Sequence, residues 1–299
     1  MTSMSAPSRQ ASGPGVSRHR NLWQDAARRY AKNKLAMAGL VVCVILILVA
    51  LLADVLAPTR YDKAVLSEAR QFPSARHLLG TDAVGRDLLS RLMYGARTSL
   101  FVGLMVQTIA FSIGVTLGAL AGLLGGWVDF VVMRLVEIMT AFPGMLFSLF
   151  VMSLLGAGVF NVILALGIAS WIGPCRLTRA QLLALREKEF VEAARGIGAS
   201  NGHIIRRHML PNALPSLIVM LALGIPSAIF GEAGLSFLGL GINDPLPSWG
   251  KMVGTGSAYL RVYWHLALFP TILIAVTTLS FTFVGDGLRD ALDPSMINQ

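Results

Sequence analysis

Six stretches of this chain stay apolar for twenty residues or more with few charges, and its polar residues gather between them. The stretches run over residues 35–57, 99–124, 129–153, 158–178, 213–240 and 265–288. A helix rises 1.5 Å per residue, so about 20 residues cross a hydrocarbon core of about 30 Å. In lipid every backbone polar group must be satisfied within the segment, which leaves the helix as the conformation for runs of this length. The pattern therefore predicts an all-α membrane protein with six transmembrane helices. Pro143-Gly144, Gly224 with Pro226, and Pro270 interrupt three of the runs. Each frees backbone groups inside the membrane and predicts a bend, either a static kink or a bend near a central gate.

Residues 1–34 read as a cytoplasmic tail rich in Ser, Arg, Gly and Pro. Within it Leu22, Trp23, Ala26, Ala27 and Tyr30 fall on one face from Asn21 to Lys34, and Arg28, Arg29, Lys32 and Lys34 lie elsewhere. That spacing predicts an interfacial helix on the inner leaflet. Val55-Leu56-Ala57 has the look of a cleavage site, but the preceding run is too long for a leader and Pro58 would follow the cut. The first run is read as a retained span.

Composition agrees with a polytopic protein: 55% of residues are hydrophobic and only 14% charged, with mean hydropathy +0.65. The net charge of +9 is concentrated in the tail and in residues 176–207, without the interleaved aromatics of a nucleic-acid module. With the N-terminus inside, sixteen Lys and Arg fall on cytoplasmic segments and nine outside. Seven of those nine crowd into residues 60–97, against the trend. Cys43 and Cys175 lie in or beside apolar runs and read as small core residues.

No phosphate loop of the Gly-x4-Gly-Lys-Ser/Thr type is present, nor a His-Glu-x-x-His, a metal-spaced Cys pair or a Gly-x-Ser-x-Gly turn. Transport or binding is left as the work of the chain, with neither catalysis nor a metal site expected. Ionisable groups inside apolar runs each cost about 2.5–3.5 kcal/mol at mid-helix. Asp129, at the start of its run, is placed at the inner interface, which leaves Arg134, Glu137 and Glu232 to explain. Arg134 and Glu137, three residues apart, share a helical face and make a structural ion pair or touch the substrate. Glu232, amid Gly231, Ala233 and Gly234, has no evident partner in its own helix. It is neutral, bonded to a partner subunit or facing the passage.

The most specific signal is Glu192-Ala193-Ala194-Arg195-Gly196-Ile197-Gly198, followed after nine residues by His208-Met209-Leu210-Pro211-Asn212. It resembles the EAA loop of ATP-binding-cassette (ABC) import permeases, in the His-x-Leu-Pro-Asn form of the dipeptide, oligopeptide and nickel branch. Three more matches follow the second permease subunit of that branch. These are Gly80-Thr81-Asp82 with Gly85-Arg86-Asp87, Leu235 to Gly241 with Pro247-Ser248-Trp249-Gly250, and Gly285-Asp286-Gly287-Leu288-Arg289-Asp290 on to Pro294. Thr271 and Thr282 depart from the usual Gly and Asn. Residues 77–99 are expected to form an amphipathic helix at the outer surface, capped by Thr81 or Asp82, with its acids and bases paired.

The resemblance implies the type I ABC importer permease fold for a permease domain over residues 35–299, with an external loop at 58–98 and a cytoplasmic EAA coupling loop at 179–212. It further implies a multi-pass protein of a bacterial or archaeal plasma or inner membrane with both termini cytoplasmic. The implied partners are a homologous but different permease subunit, two cytoplasmic ATPases that bind the ATP and Mg, and an external substrate-binding protein; this subunit carries no cofactor. In the coupling loop Glu192 would anchor the ATPase contact, Ala193 and Ala194 would permit close approach, and Gly198 would turn the chain. Arg206, Arg207 and His208 would flank that contact, and Leu210 and Pro211 complete the coupling set. The implied cargo is a dipeptide or oligopeptide; nickel or another small solute is the alternative. An ion-coupled secondary transporter would show inverted repeats, and none is evident.

Overall fold

The structure of the protein is a computed structural model that describes residues 22–292. The stretches 1–21 and 293–299, with most of the tail and the last two residues of the C-terminal motif, lie outside the described residues. The described chain is almost entirely helical, and the helices differ from the expected spans in ways that have physical causes.

The amphipathic helix α1, Leu22–Lys32, forms as expected and leads directly into α2, Lys34–Leu51. Asn33 caps α2 by accepting from Ala36 N at 3.1 Å, and the Tyr30 hydroxyl donates to Ala36 O at 3.2 Å. The first span stops short of 57, because its last residues are set off as a separate turn, α3, Ala53–Leu56.

The second span begins far earlier than 99. Helix α4 is Leu88–Leu124, 37 residues or about 55 Å of helix, so its first turns stand beyond a hydrocarbon core of about 30 Å. Its cap is Asp87, which accepts from Ser90 N at 2.8 Å. The expected helix over 77–99 is thus corrected. Asp82 closes a turn by accepting from Val84 N and Arg86 N, and Thr81 receives Gln71 N, so neither caps a helix. The arginines that would end an apolar run are satisfied within the fold: Arg97 donates to Ala50 O at 2.8 Å and to Asp54 at 2.8 Å.

The third expected span, 129–153, is two helices. Helix α5, Gly126–Thr140, and α6, Gly144–Leu155, meet at 85° across Pro143, which has no N–H to continue the ladder. Helices α7, Val159–Ser170, and α8, Ile172–Arg186, together form one span that runs well past 178. Helix α9, Glu189–Gly196, and the single turn α10, Asn201–Ile204, follow. A π-turn, Ile205–Met209, merges α10 into α11, Leu210–Phe237. Helix α12, Trp249–Ser257, lies between α11 and the last span α13, His265–Leu292. The described residues therefore hold five apolar helical spans, or six when the bent pair α5–α6 counts as one.

Helix α4 is the axis of the bundle and packs against α2, α7, α8 and α11. Its closest approach is to α8, where a Cβ on Gly118 would stand 2.3 Å from Cys175 O. Val102, Val106, Met152, Val162 and Leu235 fill the space between α4, α6, α7 and α11. Both cysteines are buried and unbridged. Thr271 and Thr282 each donate to the carbonyl four residues back, so neither changes a contact between helices through its hydroxyl.

Residues 57–87 fold into a lobe that accounts for the crowd of basic residues there. Arg60 pairs with Asp62 at 3.0 Å, Arg76 with Glu68 at 2.6 Å, and Arg86 with Asp82 at 2.6 Å. Arg70 lies 4.9 Å over the Tyr259 ring. His77 is buried between Glu68 and Asp87, at 3.3 and 3.0 Å. Apart from the exposed Lys63, the exception to the charge rule is a set of partnered side chains in a folded segment rather than free charges on a short loop.

Candidate functional site

The EAA segment folds as a helical hairpin. Helix α9 buries Val191 and Ala194 against Leu182 of α8 and against Ile204 and Met209 of the following turns. The opposite face presents Glu189, Glu192, Ala193 and Gly196, at the i, i+3, i+4, i+7 spacing of one helical stripe, and all four are exposed. Two acids and two small residues thus stand on a face that is open to solvent among the described residues. Ile197, next in line, is 87% exposed. The two alanines of the motif divide the work: Ala194 packs inward and Ala193 faces out.

Gly198 ends the helix in the left-handed region, at φ +81°. Around it Ile197 N donates to Ala193 O at 3.2 Å and Ala199 N reaches back to Ala194 O at 3.0 Å. The second bond is the six-to-one closure of a Schellman end, which requires the residue between to adopt a positive φ. A Cβ built on Gly198 would meet nothing within 4 Å, so its requirement is conformational and not steric. The chain restarts at Ser200, whose carbonyl accepts from Ile204 N at 3.0 Å.

Arg206 and Arg207 are exposed on the π-turn. His208 turns partly inward, its ring 6.2 Å from Phe190 and 6.2 Å from His203, and Asn212 Nδ2 donates to the His208 carbonyl at 2.6 Å. Leu210 N bonds to Ile205 O, the five-residue step that widens the helix one residue before Pro211. A proline ring clashes with the carbonyl four residues back, and the wider turn moves that carbonyl away. The Leu-Pro pair therefore joins the hairpin to the α11 span without breaking it.

The three intramembrane candidates part company. Arg134 and Glu137 pair at 2.6 Å on an exposed face of α5, each side chain 57% exposed, with Arg134 also 5.2 Å over the Phe130 ring. Glu232 instead is fully buried in its own chain. Its Oε1 accepts from the hydroxyls of Ser236 and Ser248, both at 2.7 Å, while Oε2 has no partner among the described residues. A partner in its own helix does exist: Ser236, four residues on. Ser248 begins α12 by accepting from Lys251 N at 3.2 Å, and Trp249 beside it donates to Ser99 Oγ and to Leu92 O. Gly250 fits against α11 so closely that a Cβ would lie 2.3 Å from Ala233 Cα. Glu232 is thus the buried tie between α11 and the start of α12, and Trp249 ties α12 to α4.

Two pairings that the sequence did not reveal join α5 to α8. Asp129 of α5 pairs with Arg179 of α8, Arg179 Nη2 at 2.6 Å. Arg176 donates to Thr140 Oγ1 at 3.1 Å, at the edge of a cavity of about 340 Å3 lined by Phe142, Pro143, Phe147 and Ile172. The partners lie 50 and 36 residues apart, and helix periodicity carries no signal across such separations.

Residues 114–298 match the family described as the binding-protein-dependent transport system inner membrane component, and residues 21–78 match the N-terminal TM domain of oligopeptide transport permease C. The chain is 43% identical over 274 residues to the dipeptide transport system permease protein of Bacillus subtilis (strain 168), covering 91% of this chain and 86% of that one. It is 44% identical over 278 residues to the oligopeptide transport system permease protein of Escherichia coli (strain K12), covering 92% of each. Among solved structures it resembles a chain of the inward-facing MetNI methionine ABC transporter, with TM-score 0.53 and 20% identity over 68% of this chain and 96% of that chain. The last likeness speaks for the fold alone: the type I importer permease arrangement.

Proposed function

The chain belongs to the binding-protein-dependent transport system inner membrane components, and from that premise we propose that it is the second permease of a heterodimeric peptide importer. It is a multi-pass membrane permease of an ABC importer. The finer reading places both termini and the hairpin around Gly198 in the cytoplasm, and the lobe at 57–87 outside. One ATPase subunit would seat on the exposed stripe of α9 and a second on the partner permease, and a binding protein would deliver the substrate from the other side. Closure of the ATPases on ATP would draw the two permeases' hairpins together and turn the passage from inward to outward access.

The observation that carries this reading is the α9–Gly198 hairpin. Its inner face is packed and its outer face offers acids and small residues to a partner of complementary shape. The cargo proposed is a dipeptide or oligopeptide, supported by the names of the relatives, which are dipeptide, oligopeptide and glutathione permeases. Nickel is not favoured by them.

The test is reconstitution of the complete complex in vesicles with its cognate binding protein. Labelled dipeptide is expected to accumulate only when ATP and the ATPases are present, and the permease purified alone is expected to hydrolyse no ATP. Uptake driven by an ion gradient without the ATPases, or uptake of nickel and not peptide, would overturn the reading.

A further inference from the structure

Where the lobe at 57–87 meets α12 and the first turns of α4, cations outnumber acids around one small cavity of about 100 Å3. Three elements bring them together. Arg86 comes from the turn before α4, Arg91 from the first turn of α4, and Lys251 from the first turn of α12. They share two carboxylates. Asp82 takes Arg86 Nε at 2.6 Å and Arg91 Nε at 3.4 Å, and Asp244 takes Lys251 Nζ at 3.1 Å and Arg86 Nη1 at 3.4 Å. Arg91 is only 3% exposed, and its Nη1 donates to the Tyr61 and Pro245 carbonyls at 3.1 and 3.4 Å. Thr255 and Tyr259 complete the wall, and Arg70 lies over the Tyr259 ring.

Three lining cations against two lining acids leave an excess of one positive charge in a space closed off by Leu88, Met252 and Leu266. Water screens such a charge poorly there, so an added anion gains more than it would on open surface. Burial pushes the Lys251 ammonium below its ordinary range, with Asp244 pulling it back. Burial pushes the Asp244 carboxyl up, and Lys251 and Arg86 more than reverse that. Asp244 is itself 67% exposed and marks the mouth of the cavity.

We propose that this cavity receives one carboxylate side chain of the external substrate-binding protein. The inference rests on the reading above, which puts this lobe on the outer side. So small a cavity favours the end of one side chain over a whole peptide. The charge excess of one matches one acid. A bidentate or shared contact to guanidinium and ammonium groups in such a setting fixes the register of docking as well as adding affinity.

The test uses the reconstituted complex and titrates the binding protein while ATP hydrolysis is read. Lys251→Gln is expected to raise the binding-protein concentration for half-maximal stimulation about tenfold, with the maximal rate little changed. Lys251→Arg should stay near wild type. Lys63→Gln removes the same charge from an exposed site on the same lobe outside the cavity, and should also leave the titration unmoved. Thr255→Glu fills the cavity with a carboxylate from within while keeping the Asp244–Lys251 pair, and should reproduce the Lys251→Gln shift even if that variant assembles poorly. Unshifted titrations for both Lys251→Gln and Thr255→Glu, or a Lys63→Gln shift as large as theirs, would overturn the inference. Absence of any stimulation of the wild-type complex by the binding protein would instead overturn the importer reading on which it rests.

Discussion

Replacing Gly198 by valine is expected to abolish ATP-driven uptake while leaving the protein in the membrane at normal amounts. The residue sits at φ +81° with open space around its Cα, so the damage arises from the backbone alone. A side chain with a Cβ costs about 1–2 kcal/mol in the left-handed region, and a β-branched one more. That is enough to undo the closure from Ala199 N to Ala194 O and let α9 run on past its end. The spans do not depend on this turn, and insertion should be unaffected. Asparagine tolerates the conformation, so the expected order of activity is Gly, Asn, Ala, Val. Membrane quantity, recovery of the ATPases with the purified permease, and uptake check it together. Full uptake by the valine variant at normal abundance would remove the hairpin from the coupling role.

The second large effect is expected at Glu232, and it is a loss of assembly. Glu232→Ala leaves the Ser248 hydroxyl buried without its acceptor and opens a void beside α12. A buried polar group left unpaired costs about 1–3 kcal/mol, with the cavity in addition. Glu232→Gln keeps an oxygen for Ser236 and Ser248 and should assemble and transport close to normally, although the charge is gone. Ser248→Ala should show part of the Glu232→Ala defect. Uptake per assembled complex distinguishes this from a place in the passage. A Glu232→Gln variant that assembles fully and transports nothing would show that the charge itself is needed.

The parts of the fold that were legible in the sequence are those whose causes are local. Glu192 to Gly198 reads as a helix with a glycine end because the cap, the small residues and the break lie within seven positions. The six apolar runs read as membrane crossings because their length alone sets that. What stayed hidden depends on distant partners. The second apolar run starts only at 99, and α4 extends back through Arg97, whose guanidinium is received by Ala50 O, Leu51 O and Asp54. Pro143-Gly144 announced a bend without its size, and 85° is set by how α6 packs against α7 and α11. Glu232 looked like an orphan because Ser248 belongs to another element. Its other partner, Ser236, was within reach of helical spacing. The cavity ringed by Arg86, Arg91 and Lys251 joins residues more than 150 positions apart in the chain, which no local pattern could assemble.

The central claim, that a separate ATPase seats on the α9 stripe from the cytoplasmic side, is tested most directly by a photo-cross-linker at Ala193→Cys in the assembled complex. Ala193 is exposed and both native cysteines are buried, so the label goes where it is placed. The account predicts that this position labels an ATPase subunit, while Leu78→Cys on the opposite lobe, 62% exposed, labels none. Labelling of the ATPase from Leu78→Cys, or of the external binding protein from Ala193→Cys, would contradict it.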